Sequence, residues 1–153
     1  MDIGILKESA RQERRVAITP NVISKIRKLG HNVFVEKGLG LDANFFDSEY
    51  VEAGAMISDT NNIWSCDIIL KIKKPHEDEV DKLSKNQTLI SFFSPSTHPD
   101  LLKKCAKDNI NVLSMDSVPR ISRAQKMDAL SSMANIAGSR AVIEAAHAFG
   151  RFF

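Results

Sequence analysis

The sequence contains few of the residues that cross-link secreted proteins or hold a chain in a membrane. Its 153 residues include 2 cysteines, 1 tryptophan and 1 tyrosine. Cys66 and Cys105 lie far apart and form no C-x-x-C pair, so we expect reduced thiols and no disulfide framework. No apolar run approaches the ~20 residues that a membrane-spanning helix requires. The chain starts directly on a strand pattern, and we expect no signal peptide.

Net charge is also low, and the histidines do not cluster. Lys and Arg total 21 against 19 Asp and Glu, a net charge of +2. The lysines are scattered without interleaved aromatic residues, so we expect no nucleic-acid partner. Four histidines have no ligand-like spacing, which predicts no metal site: His31, His76, His98 and His147. With 43% hydrophobic and 26% charged residues, the composition is typical of one globular domain.

Strand patterns alternate with helix patterns along most of the chain. Asp2 to Lys7 is apolar, as in a strand buried on both faces, and Thr19-Pro20 is typical of a helix start. Further strands are predicted near 31–36, 55–57, 67–72, 88–93 and 111–115, and further helices near 47–53, 61–65, 77–83 and 99–108. This alternation predicts an α/β fold, an open doubly wound parallel sheet of Rossmann or flavodoxin type. The pattern does not give the strand order.

Gly38 and Gly40 follow the second predicted strand and invite comparison with a dinucleotide-binding fingerprint. A fingerprint continues G-x-G-x-x-G into a helix after the first strand, and the third glycine is absent here. We therefore interpret both glycines as turn residues.

The last predicted element is a long C-terminal helix, from about Asp128 to Phe153. Its apolar residues recur at three- and four-residue steps: Leu130, Met133, Ala134, Ala137, Ala141, Ala145, Phe149 and Phe152. Small residues around Gly138 predict close approach of another element, and Arg140 and Glu144 are spaced to pair on the exposed side. No glycine cap is expected at its end. The aromatic residues at this end predict a truncated protein that self-associates there.

A polar stretch, V-P-R-I-S-R-A-Q-K-M-D-A-L-S-S from Val118 to Ser132, precedes this helix. Pro119 is expected to end the preceding strand, and an exposed loop is expected from Arg120 to Lys126. Asp128 is predicted to cap the helix, whose free N–H groups favour an anion or a polar amide. Arg120 and Arg123 add donors that suit phosphate. A solvated loop with an ordinary N-cap is the alternative.

The run from Met115 to Ala146 contains this stretch and resembles the signature of the alpha subunit, the NAD(H)-binding component, of proton-translocating NAD(P) transhydrogenases. The segments G-I-L-K-E, at Gly4 to Glu8, and R-R-V-A-I-T-P, at Arg14 to Pro20, are similar to the opening that transhydrogenases share with alanine dehydrogenases. Ser139 stands where the family has a tyrosine, so an aromatic packing contact is expected to be lost. The resemblance implies that residues 1–153 are an alanine dehydrogenase/transhydrogenase N-terminal domain.

A second resemblance helps to distinguish transhydrogenases from alanine dehydrogenases. The stretch I-I-L-K-I-K-K-P is similar to a dehydrogenase segment that holds the substrate carboxylate, a role that would fall on Lys73 with Arg15. The dehydrogenase also needs a histidine after the next strand, where this chain has Ser94. Amine oxidation requires a proton-transfer group, whereas hydride transfer between two nicotinamides requires only positioning. Transhydrogenase is therefore favoured, with Arg15 and Lys73 as a vestigial clamp or structural charges.

The resemblance implies specific roles in the polar loop. Arg120 would reach toward the nicotinamide nucleotide, and Gln125 would help bring the second nucleotide's ring against the first. Asp128 and Ser131 would hydrogen-bond the carboxamide. The expected catalytic residues are Gln125 and Asp128, and the expected cofactor-binding residues are Arg120, Gln125, Asp128 and Ser131.

The same resemblance implies cofactors and partners. NAD(H) would bind this component and NADP(H) a partner component, and the chain would be a cytoplasmic soluble domain peripheral to the membrane through the rest of the complex. A following domain with the NAD fingerprint, a membrane component and a second copy in a homodimer are the expected partners. The fragment alone is expected to be inactive. A fragment of an amino-acid dehydrogenase and a non-enzymatic flavodoxin-like binding module remain as alternatives.

Overall fold

The structure, a computed structural model, describes residues 1–151. Strands and helices alternate in this part of the chain. Their bounds are β1 Asp2–Ile5, α1 Pro20–Lys28, β2 Asn32–Glu36, α2 Asp47–Glu52, β3 Met56–Ser58, α3 Thr60–Trp64, β4 Ile68–Lys73, α4 Glu77–Val80, β5 Thr88–Phe92, α5 Pro99–Lys107, β6 Asn111–Ser114 and α6 Ala129–Ala148. The chain divides into two compact units between Ser114 and Met115.

The first unit contains one six-stranded sheet in the order β3-β2-β1-β4-β5-β6. All five neighbouring pairs are parallel, and Ile3 of β1 lies opposite Val33 of β2 and Ile68 of β4. The strand order reverses direction between β1 and β4, as in doubly wound folds. The predicted open parallel sheet is confirmed.

Helices cover both faces of this sheet. Neighbouring residues of a strand point to opposite faces and therefore pack against different helices. Ile69 belongs to one buried cluster, which includes Trp64 of α3 and Cys105 of α5. The next residue, Leu70, packs against the other cluster, which includes Ile23 of α1 and Tyr50 of α2. Both cysteines of the chain are buried and free, so packing stabilises the fold without a cross-link.

Two predicted turn glycines behave as expected. Gly38 follows β2 with a φ of +72°, a conformation that side chains disfavour. A Cβ on Gly40 would lie 2.6 Å from the carbonyl oxygen of Phe45, so the backbone turns back closely here. A single 3-10 turn, Leu41–Ala43, follows in place of a cofactor-binding helix.

Most element boundaries differ from prediction by one or two residues, and the ends of α4 and α6 differ more. The helix predicted from Glu77 to Leu83 is a single turn that ends at Val80. Thr19 occupies the predicted N-cap position of α1, with Pro20 first in the helix, but its hydroxyl donates to the Asn21 side chain and does not cap the helix.

The second unit contains two single-turn 3-10 helices, Met115–Ser117 and Gln125–Met127, followed by α6. The predicted loop from Arg120 to Lys126 is therefore partly helical. Helix α6 ends at Ala148, and Gly150 follows with a φ of +66°. The expectation of no glycine cap is wrong, since a glycine in this conformation commonly ends a helix.

None of the α6 residues is buried. Arg140 and Glu144 form the predicted ion pair on its surface. A Cβ on Gly138 would meet nothing within 4 Å, so the close packing expected there is not seen among the described residues. Phe149 is exposed, and Phe152, the last residue of the predicted apolar stripe, lies outside the described residues. No helix in the described part of the chain is both long and apolar enough to cross a membrane.

Candidate functional site

The polar loop, Arg120 to Lys126, and the start of α6 line an open cavity of about 240 Å³. Six residues line this cavity: Arg120, Ile121, Ser122, Gln125, Asp128 and Ser131. They include all four residues predicted to bind the cofactor. Arg123, the second arginine expected to donate, is not among them. Ile121 and Ser122 were not predicted as site residues, although their position between two candidates was a signal.

Local hydrogen bonds fold this loop tightly. The backbone N–H of Ile121 donates to the carbonyl of Pro119 at 2.9 Å, and that of Ala124 donates to Ile121 at 2.9 Å. Met127 donates to Ala124 at 2.8 Å and closes the 3-10 turn that carries Gln125. Ala124 is buried. These short-range bonds place residues that are distant on an extended chain around one cavity.

Asp128 is the N-cap of α6, as predicted, and only 5% exposed. Its Oδ1 accepts from the backbone N–H groups of Leu130 at 3.0 Å and Ser131 at 3.3 Å. Its Oδ2 accepts from the Ser131 hydroxyl at 2.6 Å. The Ser131 hydroxyl, the two backbone groups and the Arg120 charge hold the pKa of Asp128 below its ordinary value. This carboxylate is therefore ionised at neutral pH.

The cavity lining contains hydrogen-bonding groups, and the pKa of its one carboxyl group, Asp128, is held below its ordinary value. It offers a guanidinium from Arg120, an amide from Gln125, two hydroxyls and the ionised carboxylate of Asp128. General acid–base catalysis is most effective when the pKa of the group lies near the working pH. The arrangement therefore favours binding and orienting a polar ligand over exchanging protons with it.

Arg15 and Lys73 meet at one internal carboxylate, that of Glu13. Arg15 donates to Glu13 through Nε at 2.7 Å and Nη2 at 2.6 Å, and the Lys73 ammonium lies 3.7 Å from the same carboxylate. The Glu13 side chain is only 7% exposed. These contacts support a role as structural charges. Sequence reasoning missed Glu13, although a single acid in the basic stretch R-Q-E-R-R was a signal.

Lys71 lies two residues before Lys73 in the same strand but has different surroundings. Lys71 is buried in β4, and its ammonium contacts both carboxylate oxygens of Glu79, at 2.6 and 2.7 Å. The register of β4 against β5 shifts between Leu70 and Lys73. Because of this irregularity, Lys71 and Lys73 have different surroundings although they are only two residues apart. Only Lys73 therefore remains at the surface near Glu13.

Ser94 follows β5 in a left-handed conformation, with a φ of +52°. Its carbonyl accepts from the backbone N–H groups of Thr97 at 3.0 Å and His98 at 3.2 Å. His98 occupies the N-cap position of α5. Ser94 therefore organises the turn into α5, where the dehydrogenase pattern requires a histidine.

The described residues contain no group of three or more His, Cys, Asp and Glu side chains arranged to hold a metal ion.

The ion pair at Glu13 predicts a specific pH dependence. Hydrogen bonds from Arg15 lower the pKa of Glu13 from 4.5 to about 2. Because the folded pKa is depressed, the pair stabilises the fold fully above pH 4.5, and this contribution is lost as the pH falls toward 2. We expect the stability of wild type to exceed that of Glu13→Gln by a constant amount above this window and to converge on it below. Urea denaturation at a series of pH values measures the unfolding free energy of wild type and of Glu13→Gln. A difference between them that does not change with pH would contradict the prediction.

The chain is similar to known proteins along most of its length. Residues 4–137 match the family model of the alanine dehydrogenase/PNT N-terminal domain. The chain is 50% identical over its whole length to the NAD(P) transhydrogenase subunit alpha of Haemophilus influenzae. It is 31% identical over 96% of its length to alanine dehydrogenase 1 of Staphylococcus aureus.

Among solved structures, a transhydrogenase from Sinorhizobium meliloti matches 99% of the chain at 36% identity with a TM-score of 0.92. The chain spans 30% of the Haemophilus subunit, 39% of the Staphylococcus enzyme and 46% of the Sinorhizobium structure. The family match covers most of the chain and includes the cavity-lining residues from Arg120 to Ser131. The chain therefore belongs to the alanine dehydrogenase/PNT N-terminal domain family.

Proposed function

We propose that this chain is part of an NAD(P) transhydrogenase and forms one wall of the cleft in which the nicotinamide ring of NAD(H) binds. The complete protein would transfer hydride between NAD(H) and NADP(H) and couple the transfer to proton translocation. The observation that carries the proposal is that four residues line the same cavity: Arg120, Gln125, Asp128 and Ser131.

The chemistry of the lining supports hydride transfer between two cofactors. In such a reaction the cofactors supply the reacting atoms, and the protein orients the rings. Asp128 and Ser131 would hold the carboxamide of the NAD(H) nicotinamide, and Arg120 would contact the same nucleotide. Gln125 would help to place the NADP(H) ring against it. The depressed pKa of Asp128 fits this task, because the charged group is a fixed acceptor.

The proposal includes partners. A chain that spans 30% of a related subunit fits a larger protein whose other parts bind the rest of NAD(H) and NADP(H). We propose that a following domain of the same subunit holds the pyrophosphate, since this chain lacks the glycine-rich fingerprint. A membrane component would place the chain at the membrane surface on the cytoplasmic side, and a second copy would form a homodimer.

Two alternatives are less well supported. An amino-acid dehydrogenase would need its carboxylate clamp free, but Glu13 contacts both Arg15 and Lys73. It would also need a proton-transfer group where Ser94 organises a turn. A non-enzymatic binding module gives no reason why the four side chains that match the family signature should line one cavity.

The test compares two reactions in a complete subunit that carries this chain, combined with its NADP(H)-binding component. We expect NADH-dependent reduction of NADP⁺ and no alanine-dependent reduction of NAD⁺, while the 153-residue chain alone catalyses neither. Spectrophotometry with an acetylpyridine analogue of NADP⁺ distinguishes the product from NADH. Alanine-dependent activity would identify the dehydrogenase alternative, and the absence of both activities would favour the binding module.

A further inference from the structure

We propose that a second cavity, at the edge where the parallel strands of the sheet end, binds a small primary amine that also carries an uncharged oxygen acceptor, such as an amino alcohol. This cavity has a volume of about 260 Å³ and is lined entirely by residues of the first unit. It shares no lining residue with the cavity of the polar loop, so the proposed nicotinamide site does not explain it. Ligands of open parallel sheets commonly bind at this edge.

Three neighbouring strands bring the acidic groups of this second cavity together. Glu8 follows β1, Glu36 is the last residue of β2, and Glu79 lies in α4, which follows β4. Strand β1 pairs in parallel with both β2 and β4, so the ends of the three strands lie side by side. The sheet order therefore gathers three carboxylates that are far apart in the sequence.

The carboxylate of Glu36 has hydrogen-bond donors but no cationic partner. Its Oε1 accepts from the Thr60 hydroxyl at 2.6 Å, and its Oε2 accepts from the backbone N–H of Lys7 at 2.7 Å. None of the ion pairs among residues 1–151 includes Glu36. The two donors hold the carboxylate in place, and each of its oxygens keeps a lone pair for a ligand.

Glu8 also lacks a counter-charge in the described part of the chain. Its carboxylate accepts from the backbone N–H groups of Ile72 at 2.5 Å and Lys73 at 3.1 Å. Desolvation by burial raises the pKa of Glu8, because it outweighs these hydrogen bonds and the charge of Lys71. A partly buried carboxylate gains more than an exposed one from a cationic ligand, because water screens the attraction less.

An unsatisfied donor in the same lining fits an oxygen acceptor. Trp64 lines the cavity and is only 5% exposed. Its indole Nε1 is buried without a hydrogen-bond partner among the described residues, and an unpaired buried donor is unfavourable. The Lys82 ammonium lies over the Trp64 ring, 5.8 Å from its centroid, and is a second donor of the lining. An oxygen of the ligand would accept from these groups.

The charges of the lining favour an uncharged oxygen over a carboxylate. Three carboxylates, those of Glu8, Glu36 and Glu79, lie there with the ammonium groups of Lys7 and Lys82. A ligand carboxylate would add a further negative charge to this excess, whereas a ligand ammonium offsets it. An amino alcohol provides the ammonium and an acceptor without the extra charge.

Ethanolamine, glycine and ethylene glycol are matched probes, because glycine and ethylene glycol each replace one of the two polar groups of ethanolamine. The chain contains 1 tryptophan, so its single indole N–H signal in NMR reports on this cavity. At pH 7 and constant ionic strength, we expect millimolar ethanolamine to shift this signal saturably. The other two probes should each bind at least about five-fold more weakly.

Each contrary result has a separate meaning. Equal binding of ethylene glycol would overturn the role of the carboxylates, and equal or tighter binding of glycine would overturn the preference for an uncharged oxygen. If no probe shifted the signal saturably, the cavity would hold water only and the proposal would be refuted. The proposed nicotinamide site would stand in all three cases.

Two variants test the carboxylate and the indole donor separately. Glu36→Gln removes one charge and should weaken ethanolamine about ten-fold without weakening ethylene glycol. Glu52→Gln is the matched control, since Glu52 is an exposed acid of α2 outside the lining, and it should keep the wild-type affinity. Trp64→Phe should abolish the preference for ethanolamine over ethylamine, measured through the backbone signal of Thr60. Unchanged ethanolamine affinity in Glu36→Gln, with folding checked by circular dichroism, would refute the assignment.

Discussion

Gln125→Asn is expected to slow hydride transfer on the order of 10²-fold in a complete transhydrogenase that carries this chain, with NADH affinity nearly unchanged. Gln125 begins the 3-10 turn Gln125–Met127 and lines the cavity. Asparagine has the same amide on a side chain shorter by one methylene, so it withdraws the donor without changing charge. A small displacement of one reacting ring has a large effect on rate because hydride transfer requires close contact.

Stopped-flow measurement of a single turnover isolates the hydride step, and equilibrium titration with NADH gives the affinity. Lys126→Met is a matched control, since Lys126 lies in the same turn but does not line the cavity. We expect it to keep the wild-type rate. Loss of NADH affinity in Gln125→Asn equal to its loss of rate would show that Gln125 binds the first nucleotide and does not position the second.

Asp128→Asn is expected to differ from Gln125→Asn in the same assay, because it removes the negative charge at the start of α6 and so disturbs the proposed contact with the carboxamide. NADH affinity and the rate of hydride transfer should fall together. If both variants kept the wild-type rate per folded molecule and only melted at lower temperature, the loop would be structural.

The second large effect is expected at the buried pair Lys71–Glu79. Their side chains are 1% and 12% exposed, and Glu79 also accepts from the backbone N–H of His76. Lys71→Met keeps the length of the side chain and removes the charge. Breaking a buried pair in this way costs about 3–5 kcal/mol, because the remaining carboxylate has lost its counter-charge. We expect an unfolding free energy lower by about 3 kcal/mol, measured by urea denaturation.

The chain provides a matched control in the next lysine of the same strand. Lys73 is 54% exposed and lies 3.7 Å from Glu13, so Lys73→Met should change stability by less than about 1 kcal/mol. The double variant Lys71→Met/Glu79→Gln should recover most of the loss, since it leaves no unpaired buried charge. Equal effects of Lys71→Met and Lys73→Met would contradict the assignment of Lys71 to the interior.

The sequence alone determined the features that depend on neighbouring residues. Alternation of apolar strands with helices predicted the doubly wound sheet, because each strand must be buried on both faces. Four of the six cavity residues were also expected, from the family resemblance. Arg120, Gln125, Asp128 and Ser131 lie within one loop and one helical turn, so short-range hydrogen bonds suffice to bring them together.

Tertiary structure decided the features that depend on distant residues. The order β3-β2-β1-β4-β5-β6 is set by which apolar faces pack best, and no local pattern encodes it. The different surroundings of Lys71 and Lys73 arise from a register shift in β4 that the spacing of the residues does not reveal. The contact between the Ser131 hydroxyl and Asp128 also required coordinates, because a spacing of three residues does not show which acceptor a hydroxyl reaches.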